Sequence, residues 1–362
     1  MNTLFLKKID GAVGSVLVSL WPRPAQPISP VSSLSSLLLI RPGGIGDAAL
    51  LIPVIRSFKK ANPNCEIVVL AERRNGEAFA LCPEVSQVLL YDRPGQLLAA
   101  MRQRYDVVID TEQWHRLSAV VARLIRSDLK IGFATNERKR LFNSAITYAH
   151  ENYEADNFLK LFEPLGMAGQ EVQYPFLEVP VHIAEKAVKK LAPLCGQAFV
   201  TFFPGASIPE RRWGAEKFHQ LAVRLNVKGL PIVVVGGGQD REAGEAILAG
   251  CQGLNLAGST SLAETAAVLQ CSSLLVTGDS GVLHMAVGLN VPTVSLFGPG
   301  IAEKWAPRGE KHIVLNRNLS CSPCTRFGYT PPCPDEGRCI QEISVDEVAE
   351  AVMKLKDVTR DA

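Results

Sequence analysis

The chain has 362 residues, of which 47% are hydrophobic and 20% charged, and a formal net charge of +2. That length suggests two globular domains, the composition is ordinary for a soluble protein, and the near-balanced charge gives a nucleic-acid partner no electrostatic support. No apolar run reaches the ~18–20 residues needed to span a bilayer.

The N-terminal stretch comes first. On a helical projection Leu4, Phe5, Leu6, Ile9, Val13, Val16, Leu17 and Leu20 share one side. Lys7, Lys8, Gly11, Gly14 and Ser15 share the other, with Val18 out of place. The pattern fits an interfacial amphipathic helix and equally a helix packed on the protein itself. A secretory signal is disfavoured, because Asp10 precedes the apolar part and no clear small-x-small cleavage site follows. Pro22–Ser36, rich in Pro and Ser, reads as a linker, so residues 1–36 form a segment of their own.

From residue 37 strands and helices alternate. Leu37–Ile40 reads as a buried parallel strand. It ends in Arg41-Pro42-Gly43-Gly44-Ile45-Gly46-Asp47, and a helix follows over Ala49–Lys60. Asp47 thus sits near a helix start at the carboxyl edge of a first strand, where open α/β sheets bind ligands and where N-caps are also common. The glycines lack the dinucleotide-binding spacing, which disfavours a dehydrogenase, and no Gly-Lys-Ser/Thr follows for a P-loop. Strands are predicted at Glu66–Leu70, Gln87–Leu90 and Val107–Asp110, the last running into Thr111-Glu112-Gln113. A helix is predicted over Leu117–Ile125. The short basic run Arg138-Lys139-Arg140 reads as a solvated loop. The extended segment Val172–Pro180 closes this half, which gives domains 37–180 and 181–362.

The second half starts with helix Ala184–Leu191. Strands Ala198–Phe203, Ile232–Val235 and Leu274–Val276 then alternate with helices near Ala215–Leu225, Arg241–Leu248 and Leu262–Leu269. The fold class is therefore α/β, with two Rossmann-like domains. Gly236–Asp240 ends one strand and is placed beside a nucleoside, with Asp240 reading at least as well as an N-cap. The most informative run is Thr277-Gly278-Asp279-Ser280-Gly281, followed by helix Val282–Gly288, strand Thr293–Phe297 and Gly298-Pro299-Gly300. Free N–H groups at that helix start favour an anion such as a phosphate. Asp279 and Ser280 add acceptors for sugar or ribose hydroxyls, and helix capping is the competing explanation. His284, one turn into the helix, lines the site at most.

Nine cysteines fall into two groups. Cys65, Cys82, Cys195, Cys251 and Cys271 are scattered and read as buried or inert. Cys321, Cys324, Cys333 and Cys339 cluster as C-x2-C-x8-C-x5-C. Such a set could hold zinc or iron, or form two disulfides, and is read as a structural staple. The odd total and the scattered apolar cysteines argue for a reducing compartment.

The chain resembles glycosyltransferase family 9, the ADP-heptose:lipopolysaccharide heptosyltransferases. The resemblance rests on Arg41 to Pro53, on Phe203-Pro204-Gly205-Ala206 with Arg211-Arg212-Trp213, and on Gly278 to Gly298. It implies a GT-B architecture of two facing domains with parallel sheets. The first domain would bind the acceptor and the second the nucleotide sugar, and the last helix, Val345–Lys356, would cross back onto the first. It also implies an inverting transferase that needs no metal for catalysis, with ADP-heptose as donor and a lipopolysaccharide-core or other lipid-linked glycan as acceptor. The enzyme would be cytoplasmic, with its N-terminal helix as a peripheral contact at the inner membrane.

By this resemblance Asp47 is the general base, facing an interdomain cleft, with Glu112 the alternative. Gly44, Gly46 and Gln113 lie on the acceptor side, with the loops around Arg116 and Arg138. Gly205, Ala206, Ser207, Arg211, Arg212, Asp240, Asp279, Ser280, Gly281 and His284 lie on the donor side. The family often carries Lys where Arg211 stands, a change that keeps charge but not geometry. Two other readings share the layout: a sugar-nucleotide epimerase and a non-catalytic nucleotide-sugar binding protein. A product assay with and without acceptor separates the first from a transferase, and replacement of Asp47 separates the second.

Overall fold

The apolar runs form the middles of two parallel sheets. Leu37, Leu38, Leu39 and Ile40 are all fully buried, as expected of a strand covered by helices on both faces. Each such side chain contributes about 1.5–3 kcal/mol by leaving water. In the computed structural model the described residues are 10–22, 24, 34–169, 171–326 and 329–360. Leu4, Phe5, Leu6, Lys7, Lys8 and Ile9 lie outside them, as does most of the predicted linker.

The chain divides into two units, Met1–Gln173 and Tyr174–Ala362. The sequence reading puts the boundary at 180/181. The structure assigns the extended segment from Tyr174 onward to the second unit, where the N–H groups of Phe176 and Leu177 both donate to the Gly288 carbonyl, at 2.8 and 3.0 Å.

In the first unit the strands are β1 (Ser36–Arg41), β2 (Glu66–Ala71), β3 (Gln87–Leu90), β4 (Arg104–Asp110), β5 (Arg126–Phe133) and β6 (Ser144–Ile146). Their order in the sheet is β3-β2-β1-β4-β5-β6. The second unit carries β7 (Val200–Phe203), β8 (Ile232–Val234), β9 (Gly253–Asn255), β10 (Leu274–Gly278), β11 (Thr293–Phe297) and β12 (His312–Asn316). Their order is β12-β11-β10-β7-β8-β9. Read in the opposite direction, this is the same topology, and it is the doubly wound order whose direction of growth reverses between the first and fourth strands. That switch point lies between β1 and β4 in one unit and between β7 and β10 in the other. The registers Ile40↔Asp110 and Phe203↔Thr277 bring the carboxyl ends of those pairs side by side.

The last helix, Val345–Arg360, packs in the second unit's core. Val348, Val352 and Leu355 are buried in the same cluster as Trp213 and Leu225, and the Trp213 indole N–H donates to the Ile343 carbonyl at 2.9 Å. The described N-terminal residues from Asp10 to Trp21 pack on the first unit, with Val18 in its core and Leu17 and Trp21 against it. The Asp10 carboxylate accepts the backbone N–H groups of Arg116 and Leu117, at 2.9 and 2.8 Å, at the start of helix Arg116–Leu124. Val18 is 0% exposed, whereas Val13, Val16 and Leu20 are 46, 58 and 71% exposed. Among the described residues no helix is long and apolar enough to cross a membrane.

Candidate active site

Asp47 is in the first turn of helix Ile45–Ala61, but Gly44 is the residue at its N-cap. The Asp47 side chain looks elsewhere. Its Oδ1 accepts from Gln113 Nε2 at 2.9 Å and lies 3.7 Å from Arg41 Nη1. The Asp47 side chain remains 20% exposed. Beneath it Arg41 is buried and donates to the Pro42 carbonyl at 2.7 Å, the Thr111 carbonyl at 2.9 Å and Glu112 Oε2 at 2.9 Å. Burial disfavours its charge, but Asp47, Glu112, Glu154 and Asp110 more than compensate, so its pKa lies above the ordinary value. Gln113 is buried beside Asp47, so the structure brings together the candidate base and one acceptor-side residue.

Glu112, the alternative base, is tied up. Besides Arg41, it accepts the Trp114 N–H at 3.1 Å. Burial pushes its carboxyl up, but Arg41, His115 and Arg138 pull harder, and it sits below its ordinary range. A carboxylate held ionised by a buried guanidinium is a structural partner, not a ready proton acceptor. Arg138 corrects the solvated-loop reading. It is fully buried, ion-paired to Asp110 and donates to the Glu112 carbonyl, while Lys139 and Arg140 are exposed. Arg116 bonds Glu137 at 2.6 Å. Buried and paired, Arg138 is closed off from an acceptor. Glu154 and Tyr148, which sequence reasoning missed, complete the cluster: Gln113 Nε2 donates to Glu154 Oε1 at 2.6 Å, and Tyr148 OH donates to Glu154 Oε2 at 2.7 Å. They are distant in sequence from Asp47 and carry no motif. Arg41 did give a signal, as a charge closing an all-apolar strand must find a partner.

In the second unit, Arg211 Nη1 is 3.1 Å from Asp279 Oδ2, both side chains largely buried. The pair sits where β7 and β10 end, at the topological switch. Arg212 diverges: it is exposed and donates to the Ala206 carbonyl at 3.1 Å. Ser280 is the N-cap of helix Gly281–Gly288 and accepts from the Leu283 N–H at 3.3 Å, so capping accounts for Ser280 but not for Asp279. Asp240 is buried and folded back, its Oδ2 accepting the Gly237 N–H at 2.9 Å. Gly205 permits this, since a Cβ there would stand 2.8 Å from the Asp240 carboxylate oxygens. His284 is buried, its ring 5.9 Å from that of Trp305. Ser207 is exposed on the loop after β7.

The cysteine-rich loop buttresses this edge. The N–H groups of Cys324 and Thr325 donate to the Pro299 carbonyl, at 3.1 and 2.9 Å. The next residue, Gly300, lies so close to Asp279 that a side chain there would collide with Oδ2. All nine cysteines are free thiols, and Cys195 and Cys271 are exposed, not buried. Burial and the neighbouring thiols raise the pKa of Cys324 and Cys339. Among the described residues no group of three or more His, Cys, Asp or Glu side chains is arranged to hold a metal ion, so the four clustered thiols do not form a cage as they stand.

The family model described as glycosyltransferase family 9 (heptosyltransferase) matches residues 95–330, a stretch that begins after Asp47 and includes Gln113, Arg211 and Asp279. Lipooligosaccharide heptosyltransferase 2 of Haemophilus influenzae is 25% identical over 306 residues, covering 77% of this chain and 88% of that protein. Lipopolysaccharide heptosyltransferase 2 of Salmonella typhimurium is 25% identical over 303 residues, covering 77% and 87%. The solved structure of the E. coli ADP-heptose lipopolysaccharide heptosyltransferase II superposes with a TM-score of 0.75 at 24% identity, covering 90% of this chain and all of that one. With its two doubly wound parallel units in the GT-B fold, this chain belongs to glycosyltransferase family 9 and is a glycosyltransferase.

Proposed function

We propose that the chain transfers heptose from ADP-heptose to a lipopolysaccharide-core acceptor, with inversion and without a catalytic metal. The observation that carries this reading is the state of Asp47: one carboxylate oxygen is held by a neutral donor and a buried cation, and the side chain stays open to solvent. In the reaction the acceptor hydroxyl gives its proton to Asp47 and its oxygen forms a bond to the anomeric carbon. The bond from that carbon to the diphosphate oxygen breaks, and ADP leaves with the electron pair. A single displacement of this kind inverts the anomeric centre. Arg211 and the N–H groups at the start of helix Gly281–Gly288 neutralise the departing diphosphate. Zinc or iron at Cys321, Cys324, Cys333 and Cys339 would have to draw the four thiols together, and it is proposed only as a staple of the loop behind Asp279, with no step passing through it.

The test is ADP release and product analysis with and without a heptose-deficient lipopolysaccharide core. Acceptor-dependent release, with an anomeric configuration opposite to the donor's, is expected. Conversion of the donor without acceptor would point to an epimerase and overturn the proposal.

We also propose peripheral contact of the N-terminal helix with the inner face of the inner membrane, where a lipid-linked acceptor resides. Val13, Val16 and Leu20 project from a helix already anchored through Asp10 and Val18, and exposed Lys139 and Arg140 lie on the turn packed against it. An apolar face beside basic side chains suits an anionic headgroup layer. Replacing Val13, Val16 and Leu20 together by Ser is expected to abolish co-sedimentation with anionic liposomes and leave Tm unchanged. Removing residues 1–30 should lower Tm as well, because Asp10 and Val18 leave with them. Undiminished sedimentation of the triple variant would reject the contact.

A further inference from the structure

We infer that Tyr148, Glu154 and Gln113 form a positioning chain that orients Asp47, pinning one carboxylate oxygen so that the other takes the acceptor proton. This rests on the reading of Asp47 as general base. The Gln113 amide nitrogen carries two hydrogens. It lies 2.9 Å from Asp47 Oδ1 and 2.6 Å from Glu154 Oε1, so each hydrogen has a carboxylate oxygen to reach. The opposite amide orientation would set its carbonyl oxygen against two carboxylates, and their charge therefore fixes which way it points. The main chain of Gln113 is held too, its carbonyl accepting from Thr135 Oγ1 at 2.5 Å.

Glu154 is fully buried at the start of helix Glu154–Leu161, which packs on the helix that carries Asp47. Its second oxygen accepts from Tyr148 OH at 2.7 Å and from Asn157 Nδ2 at 3.4 Å. A buried carboxylate is costly unless donors surround it, and these keep it in place. Asp47 Oδ1 is thereby occupied from two sides, by Gln113 and by the Arg41 guanidinium. Oδ2 lies only 3.0 Å from where a Cβ on Gly44 would stand, so the glycine keeps the approach to that oxygen open. A base fixed in this way presents its free oxygen in one direction, and base catalysis depends on that direction.

The experiment compares full-length Gln113→Met, Asp47→Asn and the double variant, with Glu154→Met and Glu154→Gln alongside. Met at 113 keeps the length and removes both donors. It is expected to lower kcat on the order of 10–100-fold, the scale of a small misplacement, with the donor KM unchanged. In the Asp47→Asn background it should change residual turnover less than about twofold, because a positioning residue acts only through the group it positions. Glu154→Gln, which keeps an acceptor for Gln113, should recover most of the turnover lost in Glu154→Met. This pair also reads the chain if Gln113→Met does not fold. Parental kcat in Gln113→Met beside an impaired Asp47→Asn would overturn the positioning chain and leave the base standing. So would an equal loss from Gln113→Met in both backgrounds, or a Glu154→Gln no better than Glu154→Met. Near-parental turnover of Asp47→Asn would instead remove the base itself.

Discussion

Asp47→Asn is expected to lower acceptor-dependent turnover by ~10²–10⁴, the range for losing a general base. The substitution keeps the shape of the side chain and leaves an oxygen for Gln113 Nε2 to donate to. Arg41 keeps Glu112 Oε2 at 2.9 Å and the Thr111 carbonyl at 2.9 Å, so the buried cation is not orphaned and the fold should hold. ADP affinity should stay near the parent's, because Arg211, Asp279 and the helix start at Gly281 belong to the second unit. The measurement is single-turnover kinetics at saturating donor, with ADP binding by calorimetry as control. A variant that turns over at close to the parental rate would take Asp47 out of the mechanism.

Arg211→Ala is expected to weaken ADP binding by about 1.5–3 kcal/mol, the worth of a hydrogen bond to a charged group. Arg212→Ala should change it by less than about twofold, as expected for an exposed side chain bonded to a carbonyl of its own loop. The contrast is a geometric prediction, because the two arginines are adjacent in sequence. Asp279 orients Arg211 from 3.1 Å, so its guanidinium is held at the strand edge before any diphosphate arrives. Because Arg211→Ala also leaves Asp279 without its cation, Arg211→Lys should be measured beside it. Retained charge without the planar fork is expected to recover part of the affinity. Equal ADP affinity in parent and Arg211→Ala would reject the assignment, and a larger loss in Arg212→Ala would transfer it.

The strands at the middle of each sheet were legible in the sequence. A strand buried on both faces must be apolar throughout, and Leu37–Ile40, Ile232–Val235 and Leu274–Val276 say so without help from any partner. The glycine turns behind β1 and β10 were legible for a related reason, since a parallel strand that hands over to a helix needs a tight turn at its carboxyl end. Among the outer strands β3 was read at Gln87–Leu90, whereas β5, β6, β9 and β12 were not. In β5 the residues Arg126, Asp128 and Lys130 interrupt the apolar run, and β6, β9 and β12 are short or only half-buried, so local pattern carries little of what places them. Pairing with a neighbour supplies the rest. The N-terminal helix shows the same limit. Its described residues pack through Val18, which the helical projection left out of place, because Asp10 caps the helix Arg116–Leu124, far away in sequence. The site divides in the same way. Sequence alone determined that Asp47 and Asp279 stand at strand-end turns, because that depends on near neighbours. Only the tertiary structure decided that Arg211 and not Arg212 meets Asp279, that Arg138 is buried on Asp110, and that Glu154 reaches Asp47 through Gln113. Those choices depend on which distant polar groups share a desolvated space, and a buried charge takes whichever partner the fold brings within reach.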